Sequence, residues 1–266
     1  MEDKDIKSIV RESYSKVAEN GCCNSGFCCD QKKTNVDISR SIGYSDEEMG
    51  SFGESNLGLG CGNPVAMASN GMTSAGPSEI KEGDVVLDLG SGAGFDAFIA
   101  RRKVGESGKV IGVDFTEEMA EKARGIAKKN GYDNVEFRLG DIEDLPVESN
   151  SVDVVISNCV INLAPNKKKV FEEAYQVLKI GGKMFVSDIV LLSKLSEEKE
   201  SDEGLLCGCV GGALLKDDYI AVAESAGFDV EILGEDKEIS KEQYNGVDLE
   251  SLKLKLVKAD KCEGCC

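Results

Sequence analysis

The chain has eleven cysteines and no histidine in 266 residues, so the commonest general base and the commonest mixed zinc ligand are both missing. Its chemistry must use sulfur, carboxylates, tyrosine or a bound cofactor. Cys61 lies in the Gly-rich stretch LGLGCGNP, Cys159 ends the apolar run VDVVISNC, and Cys209 lies in a second Gly-rich turn, CGCVGGALL. Three thiols so placed are far apart in sequence yet able to converge. Three soft ligands suit a soft, three-coordinate ion better than magnesium or calcium. The other cysteines are clustered as GCCNSGFCCD near one end and CEGCC at the other. Neither cluster has two C-x2-C pairs at zinc-finger or zinc-ribbon distance, so both read as exposed thiols that capture a thiophilic ion or exchange disulfides.

A second constellation is built from carboxylates and glycines. The run VVLDLG opens into SGAGFD, which supplies Asp88, Gly90, Ser91, Gly92 and Gly94. Glycines where a strand turns into a helix let backbone amides approach a ligand closely, and the G-x-G-x-G spacing stops short of the dinucleotide fingerprint. Asp114 ends the next apolar run, KVIGVD, and is placed to accept from both hydroxyls of a ribose. Asp141, in LGDIEDLP after the third run, could accept from an adenine amine, with Ile142 beside it. All three acids fall at carboxyl ends of strands, the edge at which open α/β sheets bind ligands.

Those strands must be held by helices. TEEMAEKARGIAKKNG has Thr116 as N-cap, acids in its first turn, lysines in its last and Asn130-Gly131 as a stop. NKKKVFEEAYQVLK predicts a second helix ending at Gly181-Gly182, followed by the strand KMFVSDIV. Alternation at this spacing means βαβ units and a parallel sheet covered on both faces. Ahead of this region, a helix is expected over 6–18, then a long Gly- and Ser-rich loop with one helical turn after Ser45, then the insert NGMTSAGPSE. Behind it come two helices around a Cys- and Gly-bearing turn and two strands, of which LKLKLVK alternates with period two. The expected divisions are a Cys-rich segment and loop over 1–75, a nucleotide-binding domain over 76–192 and a C-terminal α+β portion over 193–266.

At 41% hydrophobic and 30% charged, the composition is that of a globular protein, and a formal charge of −18 argues against nucleic acid or an anionic membrane as partner. No apolar run has the length of a membrane span, and acids stand in MEDKDIKSIV where a secretory signal would be basic. These features place the protein in the cytoplasm, where thiols stay reduced.

From about Asp84 to Asp188 the pattern of acids and glycines resembles class I S-adenosylmethionine methyltransferases. The resemblance implies a Rossmann-like sheet with the N-terminal extension and C-terminal α+β portion appended. It also implies S-adenosylmethionine as cofactor, held by Asp88, Gly90, Ser91, Gly92, Gly94, Asp114, Phe115, Met119, Asp141, Ile142 and Asn158. Across most of the chain GLGCGNPVA, VLDLGSGAGFD, SNCVINL, EAYQVLKIGG and CVGGALL resemble arsenite methyltransferases more narrowly. By position, Cys61, Cys159 and Cys209 match that family's arsenic-binding thiols, and a further cysteine nearer the N-terminus matches its disulfide redox partner. The candidates for this last role are Cys22, Cys23, Cys28 and Cys29, with Cys29 favoured. Ala97, where many relatives have cysteine, the added Cys207 and the insert depart from the family. The implied activity is methylation of arsenite or its glutathione conjugate, with thioredoxin or another thiol reductant as partner. Two alternatives are a methyltransferase for a small organic acceptor, which leaves Cys61 and Cys209 unused, and a non-catalytic arsenite-binding or thiol-sensing protein.

Overall fold

The computed structural model describes residues 3–20, 34–70, 79–196, 199, 202–239 and 247–260. Seven strands form a single sheet in the order β3-β2-β1-β4-β5-β7-β6. They are β1 (Val85–Leu89), β2 (Lys109–Asp114), β3 (Val135–Leu139), β4 (Val152–Asn158), β5 (Leu178–Leu191), β6 (Asp229–Asp236) and β7 (Leu249–Val257). β1 to β5 are parallel, and β7 runs antiparallel to both its neighbours. Strand order reverses between β1 and β4, which makes the carboxyl ends of those two strands the natural ligand crevice.

The inner parallel strands β1, β2 and β4 are buried in nearly every position because both faces are covered, whereas the edge strand β3 alternates. Val86, Val154, Ile156 and Phe185 pack into one core with Phe98 of α5 (Phe95–Val104). Leu87, Val155 and Val186 pack into the other with Phe171 of α7 (Lys167–Val177). α6 (Glu117–Asn130) ends at Gly131 in the left-handed conformation, as its sequence predicts. α7 differs from expectation: it stops at Val177, and Gly181-Gly182 fall inside β5 rather than capping the helix. β5 must start early because Leu178 pairs with Val152, and the register shifts between Val152 and Val154, where the strand bulges.

The N-terminal region contains more helix than its composition suggests. α1 (Asp3–Asn20) is followed by α2 (Asn35–Ser41), α3 (Asp46–Ser51) and α4 (Pro64–Asn70). Thr34 with Asp37, and Ser45 with Glu48, form reciprocal capping boxes, while Asn63 accepts from the Ala66 amide ahead of Pro64. The C-terminal region supplies α8 (Glu203–Cys207), α9 (Lys216–Ser225), β6 and β7. Leu252, Leu254 and Leu256 are buried in alternation with the half-buried Lys253, Lys255 and Val257, the predicted period of two. Among the described residues no helix is long and apolar enough to cross a membrane. Cys22, Cys23, Cys28, Cys29, Cys262, Cys265 and Cys266 lie outside the described residues, and with them the redox candidate Cys29 and the tail.

Candidate active site

A cavity of about 660 Å³ opens at the carboxyl ends of β1, β2 and β4. Its floor is the turn after β1, where Gly90, Gly92 and Gly94 all take positive φ. Gly90 is required twice over: its φ is +61°, and a Cβ there would sit 2.2 Å from Val160 Cγ2. Asp114 stands beside the turn, its two oxygens accepting from the amides of Gly92 and Thr116, each at 2.9 Å. Burial raises the Asp114 carboxyl above its usual range, and the two amide bonds oppose the shift. At the far side Asp141 accepts from the Glu143 amide at 2.9 Å and from Lys7 Nζ at 2.6 Å.

Of the residues expected to hold the cofactor, Gly90, Gly92, Asp114, Phe115, Asp141 and Ile142 line this cavity, and Asn158 lines it at the thiol end. Asp88, Ser91, Gly94 and Met119 lie behind the wall. Asp88 is 2% exposed, with burial and then repulsion from Asp96 and Asp114 pushing its carboxyl well up. Asp88 Oδ2 and Ser91 Oγ are buried with no hydrogen-bond partner among the described residues. Backbone amides over small residues, with the Asp114 and Asp141 carboxylates along the same wall, offer donors and acceptors that fit S-adenosylmethionine in a cavity of suitable size.

The thiols gather at the other end. β4 runs out at Asn158, and Cys159 then takes a left-handed backbone at φ +55°, its amide donating to the Ser187 carbonyl at 2.8 Å. Cys209 is likewise left-handed at φ +67°, and its thiol donates to the Cys159 carbonyl at 2.7 Å. Such conformations are costly for residues with a Cβ and persist where their surroundings enforce them. Cys61 closes the group from the loop before α4 and is joined to Cys159 by a disulfide, with Cα atoms 5.9 Å apart. Of the three thiols expected from sequence, Cys61 and Cys159 are covalently linked, and Cys209 reaches the backbone of Cys159 rather than joining the two sulfurs. Cys61, Cys159 and Cys209 are 2%, 6% and 4% exposed, and of the three Cys159 and Cys209 line the cavity.

Sequence reasoning missed the acid beneath this group. The Asp188 carboxylate and the sulfurs of Cys61 and Cys159 all lie within 4.8 Å of one another. Asp188 accepts from the Ile189 amide and from Asn162 Nδ2, each at 2.9 Å, and from the Tyr219 hydroxyl at 3.0 Å. Burial pushes its pKa up to about 7, against the pull of those bonds and the nearby Lys167. An acid within the strand run FVSDIV, whose other residues are apolar but for Ser187, was the available signal.

Asn158 ties the cysteine loop to the sheet. Its Oδ1 accepts from the Cys61 amide at 3.0 Å, and its Nδ2 reaches the Gly62 carbonyl at 2.8 Å, the Tyr44 hydroxyl at 2.9 Å and Asp96 Oδ2 at 3.1 Å. Tyr44 in turn donates to Asp96 Oδ1 at 2.6 Å. Asp96 is pushed up to about 6 by burial, with its bonds to Tyr44 and Asn158 holding it down and Glu48 raising it. The Asn158 amide expected at the cofactor is thus engaged in fixing Cys61. Nothing in the sequence pattern marks Tyr44 or Asp96 as its partners.

This fold and this strand-end crevice define a class I S-adenosylmethionine methyltransferase, and residues 80–227 match the family described as a methyltransferase domain. The chain is 44% identical over 246 residues to an arsenite methyltransferase of Halobacterium salinarum, covering 88% of this chain and 60% of that protein. It is 37% identical over 239 residues to one of Aquipseudomonas alcaligenes, covering 87% of this chain and 64% of that protein. The crystal structure of an arsenic(III) S-adenosylmethionine methyltransferase from Chlamydomonas reinhardtii superposes with a TM-score of 0.64 at 34% identity, over 84% of this chain and 74% of that one. The chain belongs to the arsenite methyltransferase family. It spans somewhat under two thirds of the length of the two curated relatives.

Proposed function

We propose that this chain methylates trivalent arsenic, presented as arsenite or as its glutathione conjugate, with S-adenosylmethionine as methyl donor. The observation that supports the reading is that Cys159 and Cys209 line one end of a cavity whose other end is lined by Gly90, Gly92, Asp114 and Asp141, with Cys61 bonded to Cys159 behind that wall. Only a thiophilic acceptor gives all three sulfurs a purpose.

The Cys61–Cys159 disulfide must first take up two electrons and two protons from an external dithiol, for which thioredoxin or a similar reductant is suited. Three thiols then replace the three oxygen or glutathione ligands of arsenic. The proton of each incoming thiol leaves with the displaced ligand, as water or as glutathione. Bound as a trithiolate, arsenic keeps its lone pair. S-adenosylmethionine, when bound, supplies a methyl group on a positively charged sulfur. Because the nucleophile is a lone pair, no proton is removed during transfer, and a chain without histidine is at no disadvantage. Asn158 and Ser251 hold the backbone of Cys61 through its amide and carbonyl, while the left-handed backbone at Cys159 and Cys209 sets the direction of the other two side chains. The protein's contribution is positioning and exclusion of water.

The test is to incubate purified protein with arsenite, S-adenosylmethionine and a thiol reductant and to separate arsenic species by chromatography. Methylated arsenic is expected, and Cys159→Ser is expected to abolish it while leaving cofactor binding intact. Tight arsenite binding without turnover would replace this reading with a sequestering protein. Cofactor binding without arsenite binding would point to an organic acceptor.

A further inference from the structure

We infer that Lys7, on α1, is a positioning residue for the adenine end of the cofactor site. It holds Asp141 so that the carboxylate accepts from an exocyclic amine and repels a carbonyl oxygen in the same place. The inference rests on the cofactor assignment above and extends it to a helix that the methyltransferase match over 80–227 leaves out.

Lys7 lies 134 residues from Asp141 in sequence, yet its ammonium is 2.6 Å from Asp141 Oδ2 and 2.5 Å from Glu143 Oε2. All three side chains are more than half buried: Lys7 is 29% exposed, Asp141 38% and Glu143 15%. Lys7 and Asp141 both line the cavity. Every member of the group has a second anchor. Asp141 Oδ1 accepts from the Glu143 amide at 2.9 Å, and Glu143 Oε1 accepts from the Asn166 amide at 2.7 Å. The Asp141 carboxylate is therefore gripped at both oxygens and cannot rotate about its Cβ–Cγ bond, while each oxygen keeps acceptor capacity for a ligand donor.

α1 is itself fixed along this wall. One turn beyond Lys7, Arg11 places its guanidinium 5.3 Å from the centre of the Phe115 ring, and Ser15 donates to Glu118 at 2.9 Å. Farther on, the Tyr14 hydroxyl donates to the Cys207 carbonyl at 3.3 Å, and Val17 packs with Leu57, Ala93 and Met119. The lysine is thus delivered by a packed helix. Without it, Asp141 and Glu143 would be like charges held close in a chain of formal charge −18, and the carboxylate would swing away from Glu143. An adenine amine would then lose an oriented, charge-assisted acceptor, worth about tenfold in affinity. A ligand with oxygen at that position has no such bond to lose.

The experiment is calorimetric titration of the full, reduced chain with S-adenosyl-L-homocysteine and with S-inosyl-L-homocysteine, which has a carbonyl oxygen in place of the exocyclic amine. The wild-type protein should prefer the adenosyl ligand. Lys7→Met should weaken that ligand about tenfold and the inosyl ligand less than about threefold, so that discrimination collapses. Lys7→Arg keeps the ion pairs and should retain most of the preference. Unchanged discrimination in Lys7→Met would overturn the inference, and so would equal weakening of both ligands, which would make α1 a general cover. Failure of the wild-type protein to bind either ligand would overturn the cofactor assignment as well. Arsenite takes no part in the titration, so the outcome is independent of the proposed acceptor.

Discussion

Gly62, next to Cys61, offers a steric test of whether thiol placement controls the reaction. A Cβ built on Gly62 would lie 2.0 Å from Ser187 Oγ and 2.8 Å from Ser187 Cβ, and its φ lies outside the left-handed range, so alanine is opposed by space alone. Restoring ordinary contact requires a separation of roughly 1.4 Å between the loop and β5. Ser187 Oγ is 3.7 Å from Cys61 Sγ, and the Cys61 carbonyl is held by Ser251 Oγ at 2.8 Å, so the displaced backbone takes the thiol with it. A shift of about 1 Å at a reacting group costs roughly 100-fold in rate. Overpacking should cost a further 1–3 kcal/mol or so of stability. Arsenite methylation by Gly62→Ala should therefore fall by about two orders of magnitude with S-adenosyl-L-homocysteine affinity unchanged. Ser187→Gly removes both obstructing atoms and leaves Lys253 Cε, at 3.7 Å, as the nearest neighbour, so the double variant should recover most of the rate. Wild-type turnover by Gly62→Ala alone would refute the reasoning. So would a double variant that regains thermal stability but stays slow.

Two further outcomes follow from the buried polar groups. Asn158→Ala orphans the Cys61 amide and the Gly62 carbonyl and should cost roughly 2–4 kcal/mol, read by thermal denaturation; it should also loosen arsenite binding, read by arsenic–thiolate absorbance in the reduced protein. The pH dependence of stability should carry the mark of Asp188, whose pKa is raised from 3.8 to about 7 by burial. A carboxyl raised on folding stabilises most when protonated, so its contribution is complete below the unfolded value. It is lost as pH rises through the folded one, at about 1.4 kcal/mol per pH unit between them. Denaturant unfolding should thus show a less stable protein at pH 8 than at pH 5, and Asp188→Asn should flatten that slope. An unchanged slope would mean that Asp188 is not the group responsible.

The βαβ core was legible because its signals are local: apolar runs ended by glycine or aspartate, and helices with charged termini. Cys61, Cys159 and Cys209 could be picked out by their Gly-rich or strand-end settings, and the structure bonds the first two and sets the third against the Cys159 carbonyl. The structure adds what depends on long-range pairing. α2 and α4 were hidden in a segment rich in glycine and serine, although Thr34-x-x-Asp37 and Asn63-Pro64 are local start signals that could have revealed them. Gly181-Gly182 looked like a helix stop because a glycine pair is ambiguous until the partner strand is known. Lys7 could not be found at all, since a lysine on a half-polar helix has no local mark of its bond to a carboxylate 134 residues away.

The place of β7 in the sheet sets a timetable for assembly. The strand enters between β5 and β6 and puts Ser251, opposite Ile189, beneath the Cys61 carbonyl. A nascent chain emerging from the ribosome can complete β1 to β4 and the glycine turn well before residue 251 is synthesised. The glycine turn is therefore made before the seat of Cys61, which waits for β7. Until then the growing polypeptide has Cys61, Cys159 and Cys209 but not the strand that seats the first of them.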